Sequence, residues 1–230
     1  MKKEDRLNIV LRGIGVILLY FISTYMCVYI PLIFRINYYN LNIVAKTIYL
    51  IIYDVLTAIL MIYIYKKDFI NNFKDYKKNI SKYLDYIWLW IGSLILMIIS
   101  NLIIVNFTVN EVATNQQAAI EELHTFPIYL IFSACITAPI IEEIVFRLSI
   151  RKILNNKILF IITSGLIFGL LHVVFSYTNI TDFLYIIPYS IPGFAFAYML
   201  VKTDNICVPI SMHMLHNTIM IIFQIIALIK

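Results

Sequence analysis

Long apolar runs, separated by short polar stretches, fill most of the chain. A helix that crosses a bilayer needs about 20 predominantly apolar residues. Seven runs approach or exceed this length, over residues 7–34, 43–65, 86–107, 126–150, 158–175, 183–201 and 208–229. The pattern predicts an all-α, polytopic integral membrane protein with seven transmembrane helices, within a range of about six to eight.

The composition excludes the ordinary soluble classes of protein. Apolar residues make up 62% and charged residues 13% of the 230 residues, whereas soluble domains have roughly 45–50% and about 25%. Too few polar residues remain to cover a folded surface, and a disordered chain is far less apolar. The three cysteines are scattered, without the spacing of a disulfide framework or a metal site. We therefore expect the lipid bilayer to surround the protein.

The distribution of basic residues predicts the orientation of the helices. Lys and Arg precede the first apolar run and fill the second, fourth and sixth loops, whereas the third loop is acidic. Because cytoplasmic loops carry the excess of Lys and Arg, we expect a cytoplasmic N-terminus. The net charge of +5 is thus a topology signal and predicts no nucleic-acid partner. The residues concerned are Lys2, Lys3 and Arg6; Lys66, Lys67, Lys74, Lys77, Lys78 and Lys82; Arg151, Lys152 and Lys157; Lys202; and the acidic Glu111, Glu121 and Glu122.

Two segments need a separate interpretation. The first run, residues 7–34, is longer than the apolar region of a signal peptide, and we expect it to be a retained helix. The segment 66–83 mixes apolar and basic residues, and we expect it to lie as a helix on the membrane surface. Abundant Ile, Asn, Lys and Tyr indicate an AT-rich genome, and hence a bacterial cell membrane.

Ionisable side chains inside the apolar runs are the candidates for function, because each costs about 2.5–3.5 kcal/mol to insert. Near the ends of runs, Arg12 and Lys46 can extend to the headgroups. Asp54 lies deeper, and either a structural hydrogen bond to a tyrosine or to Lys46, or a functional role, would explain it. The others are Glu142, Glu143, Arg147, His172, His213 and His216, all in the C-terminal half.

The first pattern is TAPIIEEIVFR, residues 137–147. Pro139 suits the first turn of a helix or a kink. Glu143 and Arg147 are four residues apart, which is good ion-pair spacing on a helix. Glu142 is rotated about 100° from Glu143 and is free to face a cavity as a buried general base. The alternative is that all three charges lie among headgroups at the cytoplasmic end of the helix.

Two further patterns carry imidazoles. FGLLH, residues 168–172, places Phe168 and His172 on one helix face, with small Gly165 and Gly169 on the same side. A single histidine on an apolar helix is more often bonded to a neighbouring backbone than catalytic. HMLHN, residues 213–217, places His213 and Asn217 on one face, and His216 overlaps with it only in part.

Together the three patterns indicate hydrolysis of an amide bond. A water-filled chamber is where membrane helices tolerate such groups. Hydrolysis needs a base that activates water, which a glutamate and a histidine supply, and donors for the oxyanion, which a histidine and an asparagine supply. Two histidines and a glutamate are also the ligands of many catalytic zinc sites, although no H-E-x-x-H helix is present.

These motifs resemble those of the CAAX protease and bacteriocin-processing family, also called Abi or CPBP. That family's pattern is E-E-x-x-x-R, then F-x-x-x-H, then H-x-x-x-N, and this chain reads EEIVFR, FGLLH and HMLHN in the same order. The resemblance covers residues 126 to 229. It implies a catalytic helical core over 126–230, and 1–125 would supply further transmembrane helices and the basic cytoplasmic loop of one membrane domain.

The resemblance also implies roles for individual residues. By position, Glu142 resembles the water-activating glutamate and His172 its partner, while His213 and Asn217 resemble the oxyanion-binding pair. Glu143 and Arg147 complete the first motif in a supporting role. Members are called metalloproteases, so Glu142, His172 and His213 would hold a metal such as Zn²⁺ if this is a metal enzyme. A metal-independent glutamate mechanism is the alternative.

The expected function is that of an intramembrane endopeptidase with its site open to the cytoplasm. Eukaryotic members of the family trim prenylated proteins, whereas bacterial relatives are linked to peptide maturation and bacteriocin self-immunity. The expected substrate is therefore a membrane-associated protein or a small peptide precursor. The alternatives are a non-catalytic peptide-binding or bacteriocin-immunity membrane protein and, less favoured because an inverted repeat is missing, a proton- or metal-coupled transporter.

Overall fold

The computed structural model describes residues 3–109 and 112–229. Lys2, Glu111 and the side chain of Lys3, which contribute to the predicted topology, lie outside the described residues. Within the described ranges, seven helices are long and apolar enough to cross a membrane, so the predicted all-α polytopic architecture is confirmed. Their outward faces carry exposed Leu and Ile side chains, as a lipid environment requires.

The helices follow one another with short connections. They are α1 (Lys3–Ile33), α2 (Ile43–Ile64), α3 (Lys66–Lys78), α4 (Ile80–Ile104), α5 (Thr114–Thr125), α6 (Pro127–Ile153), α7 (Lys157–Val174), α8 (Ile180–Thr203) and α9 (Cys207–Ile229). All but α3 and α5 are candidate membrane spans. The hydropathy pattern did not predict α5, because its sequence TNQQAAIEELHT is mostly polar.

Two spans begin earlier than predicted. The short helix Ile80–Leu84 leads into the third span, which was expected to begin at residue 86. The sixth span starts with the 3-10 helix Ile180–Tyr185, three residues before the expected start. There a capping box between Asn179 and Asp182 satisfies free backbone N–H groups at the start of the helix. The apolar pattern does not predict this polar cap.

The basic segment forms a helix, as predicted, and is docked onto the bundle by polar contacts. Asn205, in the turn between α8 and α9, donates from its amide nitrogen to the Asn72 carbonyl oxygen and to Asp75 Oδ2, each at 2.8 Å. The Tyr83 hydroxyl also donates to Asp75. These hydrogen bonds, that of Tyr83 first, hold the pKa of Asp75 below its ordinary value. The basic helix is therefore fixed to the turn that leads into α9, the helix that carries His213 and His216.

Helix α6 is widened on both sides of the two glutamates. Residues Ser133–Thr137 and Ile144–Ser149 are π-helical, and Ala138–Glu143 between them is α-helical. Pro139 lies in the first turn of this α-helical segment, where its missing N–H costs least. Ser149 Oγ donates to the Ile144 carbonyl oxygen at 2.9 Å, within the second π-helical segment. Such π-turns change the direction in which a side chain points and are frequent at functional sites.

Helices α7 and α8 approach closely because glycines lie at their contact. A Cβ added at Gly193 would lie 3.1 Å from the Gly165 Cα, and one added at Gly165 would overlap the Phe194 ring. At Gly169 an added Cβ would lie 2.7 Å from the Ile186 carbonyl oxygen. This small-residue contact, predicted in part from Gly165 and Gly169, brings His172 against α8.

Replacing Gly169 by alanine is expected to destabilise the protein. The new Cβ would meet the Ile186 carbonyl oxygen at 2.7 Å and the Ser190 nitrogen at 2.9 Å, and both are backbone atoms. Overpacking of this kind costs about 1–3 kcal/mol. Thermal unfolding of the detergent-solubilised protein measures the effect. Gly92→Ala is the matched control, since nothing lies within 4 Å of its added Cβ. Equal melting temperatures for the two variants would contradict the close packing.

Candidate active site

A buried ion network joins α6 to α9. Glu143 Oε2 lies 3.2 Å from Arg147 Nε, and Glu143 Oε1 lies 2.9 Å from His213 Nδ1. The side chains of Glu143 and Arg147 are 0% exposed. The predicted pairing of Glu143 with Arg147 is therefore confirmed, and the alternative position among headgroups is wrong. Glu143 also accepts a hydrogen bond from His213 of α9, a contact that the helical spacing did not predict.

Arg147 is enclosed by aromatic rings instead of water. Its guanidinium carbon lies 4.2 Å from the Phe168 ring centre and 5.7 Å from that of Phe196. One further contact runs from Nη2 to the Gly193 carbonyl oxygen at 3.5 Å. A cation in such a site depends on its paired carboxylate and on ring faces. The guanidinium thus fixes Glu143, and through it the imidazole of His213.

The hydrogen bond to Glu143 sets the tautomer of His213. A carboxylate only accepts, so Nδ1 of His213 carries the hydrogen and Nε2 of the neutral ring has a free lone pair. That Nε2 lies 3.9 Å from Glu142 Oε2, too far for a direct hydrogen bond. The Glu142 side chain is 20% exposed, unlike Glu143. The two neighbouring glutamates therefore differ, one buried and one accessible, but Glu142 does not line the chamber that it was predicted to face.

His172 has its orientation fixed by its own helix and by α8. Its Nδ1 lies 2.8 Å from the Phe168 carbonyl oxygen, which only accepts, so Nε2 of the neutral ring is again unprotonated. The ring stacks on Tyr189, with centres 4.9 Å apart. Within 4.0 Å, the described histidine that pairs with Glu142 is His213 and not His172. The predicted partnership of Glu142 with His172 is thus not a contact within 4.0 Å in this structure.

His216 presents the opposite tautomer. The indole N–H of Trp90 donates to His216 Nδ1 at 3.3 Å, so the neutral imidazole carries its hydrogen on Nε2. The His216 ring also contacts Phe196 edge to face. The spacing argument assigned His216 no place among the site residues, and nothing in the sequence links it to Trp90, 126 residues away. Of the three imidazoles, His216 is the one whose Nε2 carries the hydrogen when the ring is neutral.

A cavity of about 350 Å³ connects these groups. Its walls include His172, His213, His216 and Asn217, so four of the polar groups singled out in the sequence share one chamber. Asn217 uses one amide hydrogen for the Ala134 carbonyl oxygen at 2.8 Å and retains the other. Glu142 does not line this cavity and reaches the site through its proximity to His213.

Asp54 supports the site from α2. Its Oδ2 accepts from Ser133 Oγ at 2.7 Å and from Thr137 Oγ1 at 3.3 Å, and Tyr129 interacts with it electrostatically. A tyrosine partner was one of the expected alternatives. Lys46, the other, instead donates to the Tyr39 carbonyl oxygen. Asp54 therefore anchors the first π-helical segment of α6, which precedes the glutamates.

The donor set does not fit the predicted zinc site. Over the described residues, no group of three or more His, Cys, Asp or Glu side chains is placed to hold a metal ion. Within 4.0 Å, Glu142 approaches His213 and not His172, so the three predicted ligands do not come together as one site. We therefore derive no chemical step through a metal bound by Glu142, His172 and His213.

Comparisons with known proteins point to one family. Residues 124–219 match the model of the Rce1-like type II CAAX prenyl endopeptidases. The chain is 33% identical over 122 residues to the putative membrane peptidase YdiL of Bacillus subtilis, an alignment that covers 52% of this chain and 46% of that protein. It is 32% identical over 151 residues to the membrane-embedded CAAX protease MroQ of Staphylococcus aureus, covering 60% and 58%.

The extent of these matches agrees with the position of the site. The chain spans about half the length of the curated relatives it matches. No solved structure matches it. The matching segment contains Glu142, Glu143, Arg147 and all three imidazoles of the chamber. Residues 124–219, which carry the candidate site, are thus similar to the type II CAAX prenyl endopeptidases.

Proposed function

We propose that the protein is a membrane endopeptidase that hydrolyses a peptide bond in a membrane-associated protein or peptide precursor. The observation that carries this proposal is the buried bond from His213 Nδ1 to Glu143, which directs the free Nε2 toward Glu142. A carboxylate and an oriented imidazole beside a polar chamber are suited to activating water. The match of residues 124–219 to CAAX endopeptidases supports the same reaction.

The attacking water would lie between Glu142 and His213. Their facing oxygen and nitrogen are 3.9 Å apart, which lets one water molecule donate a hydrogen to each. Glu142 takes a proton as the water oxygen adds to the substrate carbonyl carbon. Collapse of the tetrahedral intermediate breaks the C–N bond, and the proton passes from Glu142 to the leaving amine. His172, with its free Nε2, serves as a second base at the chamber wall.

The oxyanion needs hydrogen-bond donors, and the tautomers distinguish the candidates. Asn217 keeps one amide hydrogen, as its predicted role requires. Neutral His213 has no hydrogen on Nε2, so it would donate to the oxyanion only as an imidazolium. His216 carries its hydrogen on Nε2 because Trp90 occupies Nδ1. We therefore assign His216, together with Asn217, to oxyanion stabilisation.

His216→Phe is expected to lower kcat by about 10²–10³, the usual cost of removing one oxyanion donor. The KM should change little, because the oxyanion exists only after attack. His216→Gln, which keeps an N–H donor, should recover part of the loss. Steady-state kinetics on a cleaved peptide check this, with folding compared by thermal unfolding. Equal kcat values for the Phe and Gln variants would show that the imidazole has only a packing role.

A comparison of three strains tests the proposed function. One carries the wild-type protein, one Glu142→Gln and one Asp85→Asn, at matched expression. Asp85 is an exposed carboxylate outside the chamber and serves as the charge control. Mass spectrometry of new peptide termini in the membrane and secreted fractions identifies the cleaved bonds. We expect termini shared by the wild type and Asp85→Asn and absent from Glu142→Gln.

Identical catalogues in all three strains would overturn the endopeptidase assignment. If a phenotype still separated these strains from a deletion, the peptide-binding or bacteriocin-immunity alternative would replace it. Substrate accumulation in proteoliposomes, dependent on the chamber histidines, would favour the transporter.

A further inference from the structure

The chamber lies at the end of the bundle away from the basic loops. Successive spans run in opposite directions, so the last turns of α4 and α9 and the first turns of α6 and α8 meet at one end. The chamber is lined from these turns, by Asn101, Ala134, Pro188 and Gln224 among others. The basic helix α3 and Lys202 lie at the opposite end.

Helix α5 belongs to the chamber end and is linked to the catalytic group. Its first turn contributes Asn115 and Gln116 to the chamber wall. Asn115 shares the chamber wall with Tyr189, on whose ring His172 stacks at 4.9 Å. Thr114 Oγ1 also donates to Ser176 Oγ, just beyond the end of α7, at 3.2 Å. A polar helix thus borders the mouth of the chamber and contacts the residues behind His172.

The wall of the chamber is chemically uniform. Apart from the three histidines, the described lining residues include no charged side chain. Five carboxamides line it, namely Asn101, Asn115, Gln116, Asn217 and Gln224. The buried Oε1 of Gln224 has no hydrogen-bond partner among the described residues. Carboxamides both donate and accept, which matches the alternating N–H and C=O groups of an extended peptide.

We propose that the substrate enters from the extracytoplasmic face, as an extended peptide segment with uncharged residues around the scissile bond. The direction follows from the basic loops, which mark the cytoplasmic side. The carboxamides bind the peptide main chain, while a charged side chain would find no partner on the described walls. This inference rests on the proposed endopeptidase function. The expected cytoplasmic opening and the expected cytoplasmic N-terminus are incompatible in this fold, because the chamber and the basic loops lie at opposite ends of the bundle.

Cysteine labelling in intact cells tests the direction of access without any known substrate. Gln116→Cys places a thiol at the chamber mouth, and Lys78→Cys places one on the exposed end of α3. The wild-type chain gives the background from Cys27, Cys135 and Cys207. With a membrane-impermeant maleimide we expect Gln116→Cys to react in intact cells and Lys78→Cys only after permeabilisation. The reverse pattern would overturn the proposal.

A second measurement distinguishes the route of substrate access from catalysis. Gln117→Cys is on the same helix and exposed but does not line the chamber, so it is the matched control. Maleimide should lower Glu142-dependent cleavage at least about tenfold in Gln116→Cys and leave Gln117→Cys unchanged. Retained Glu142-dependent cleavage with reversed labelling would refute the access route alone. Expected labelling without any Glu142-dependent cleavage would refute the proposed function, and the substrate route with it.

Discussion

Glu142→Gln is expected to remove site-dependent cleavage, by a factor of about 10²–10⁴ if any activity is measurable. The amide that replaces the carboxylate has nearly the same shape but cannot take a proton from water. Glu142 is 20% exposed and lies 3.9 Å from His213 Nε2, so no close contact is lost. The variant should therefore insert into the membrane and melt like the wild type, while its kcat falls.

Two further carboxylate substitutions serve as controls for this variant. Glu142→Asp keeps the charge but withdraws it by one methylene from His213, and an intermediate rate is expected. Asp85→Asn, an exposed charge change elsewhere, should cleave at the wild-type rate. Cleavage by Glu142→Gln at the wild-type rate would remove Glu142 from the mechanism.

Arg147→Met is expected to cost about 3–5 kcal/mol of folding stability, the usual effect of breaking a buried ion pair. The substitution fills a similar volume between Phe168 and Phe196 but leaves Glu143 charged and fully buried. Since folded domains are stable by only about 5–15 kcal/mol, we expect much less folded protein in the membrane. Size-exclusion chromatography and thermal unfolding of the solubilised variant measure the loss.

A second substitution distinguishes charge from packing. In the double variant Arg147→Met with Glu143→Gln, the uncompensated charge is gone, and the new amide oxygen still accepts from His213 Nδ1. Folding should recover by about 2 kcal/mol or more relative to Arg147→Met alone. Equal melting temperatures for the single and double variants would show that Arg147 does not stabilise the protein by compensating the buried charge of Glu143.

The sequence predicts those features that depend on neighbours along the chain. Seven spans follow from hydropathy, and the pair Glu143 and Arg147 follows from helical spacing, now at 3.2 Å. Helix α5 was missed because polar residues give no membrane signal, although its carboxamides line the chamber.

The features that escaped prediction depend on contacts between distant helices. Glu143 and His213 are 70 residues apart, and only the packing of α6 on α9 joins them. The tautomer of His216 depends on Trp90, which lies in the half of the chain predicted to be non-catalytic. The first π-helical segment of α6 is held by Asp54 from α2, and neither Asp54 nor this segment could be identified from the local sequence. The sequence therefore predicts which residue types form the site, whereas the contacts between them depend on how the helices pack.

Isotope incorporation tests the central claim most directly. Purified protein in lipid nanodiscs is incubated in H₂¹⁸O with a peptide carrying a cleavage site found in the strain comparison. We expect one ¹⁸O atom in the new carboxylate of each product with the wild type, and no product with Glu142→Gln. Product formation without ¹⁸O, or equal labelled product from both proteins, would contradict water activation by Glu142.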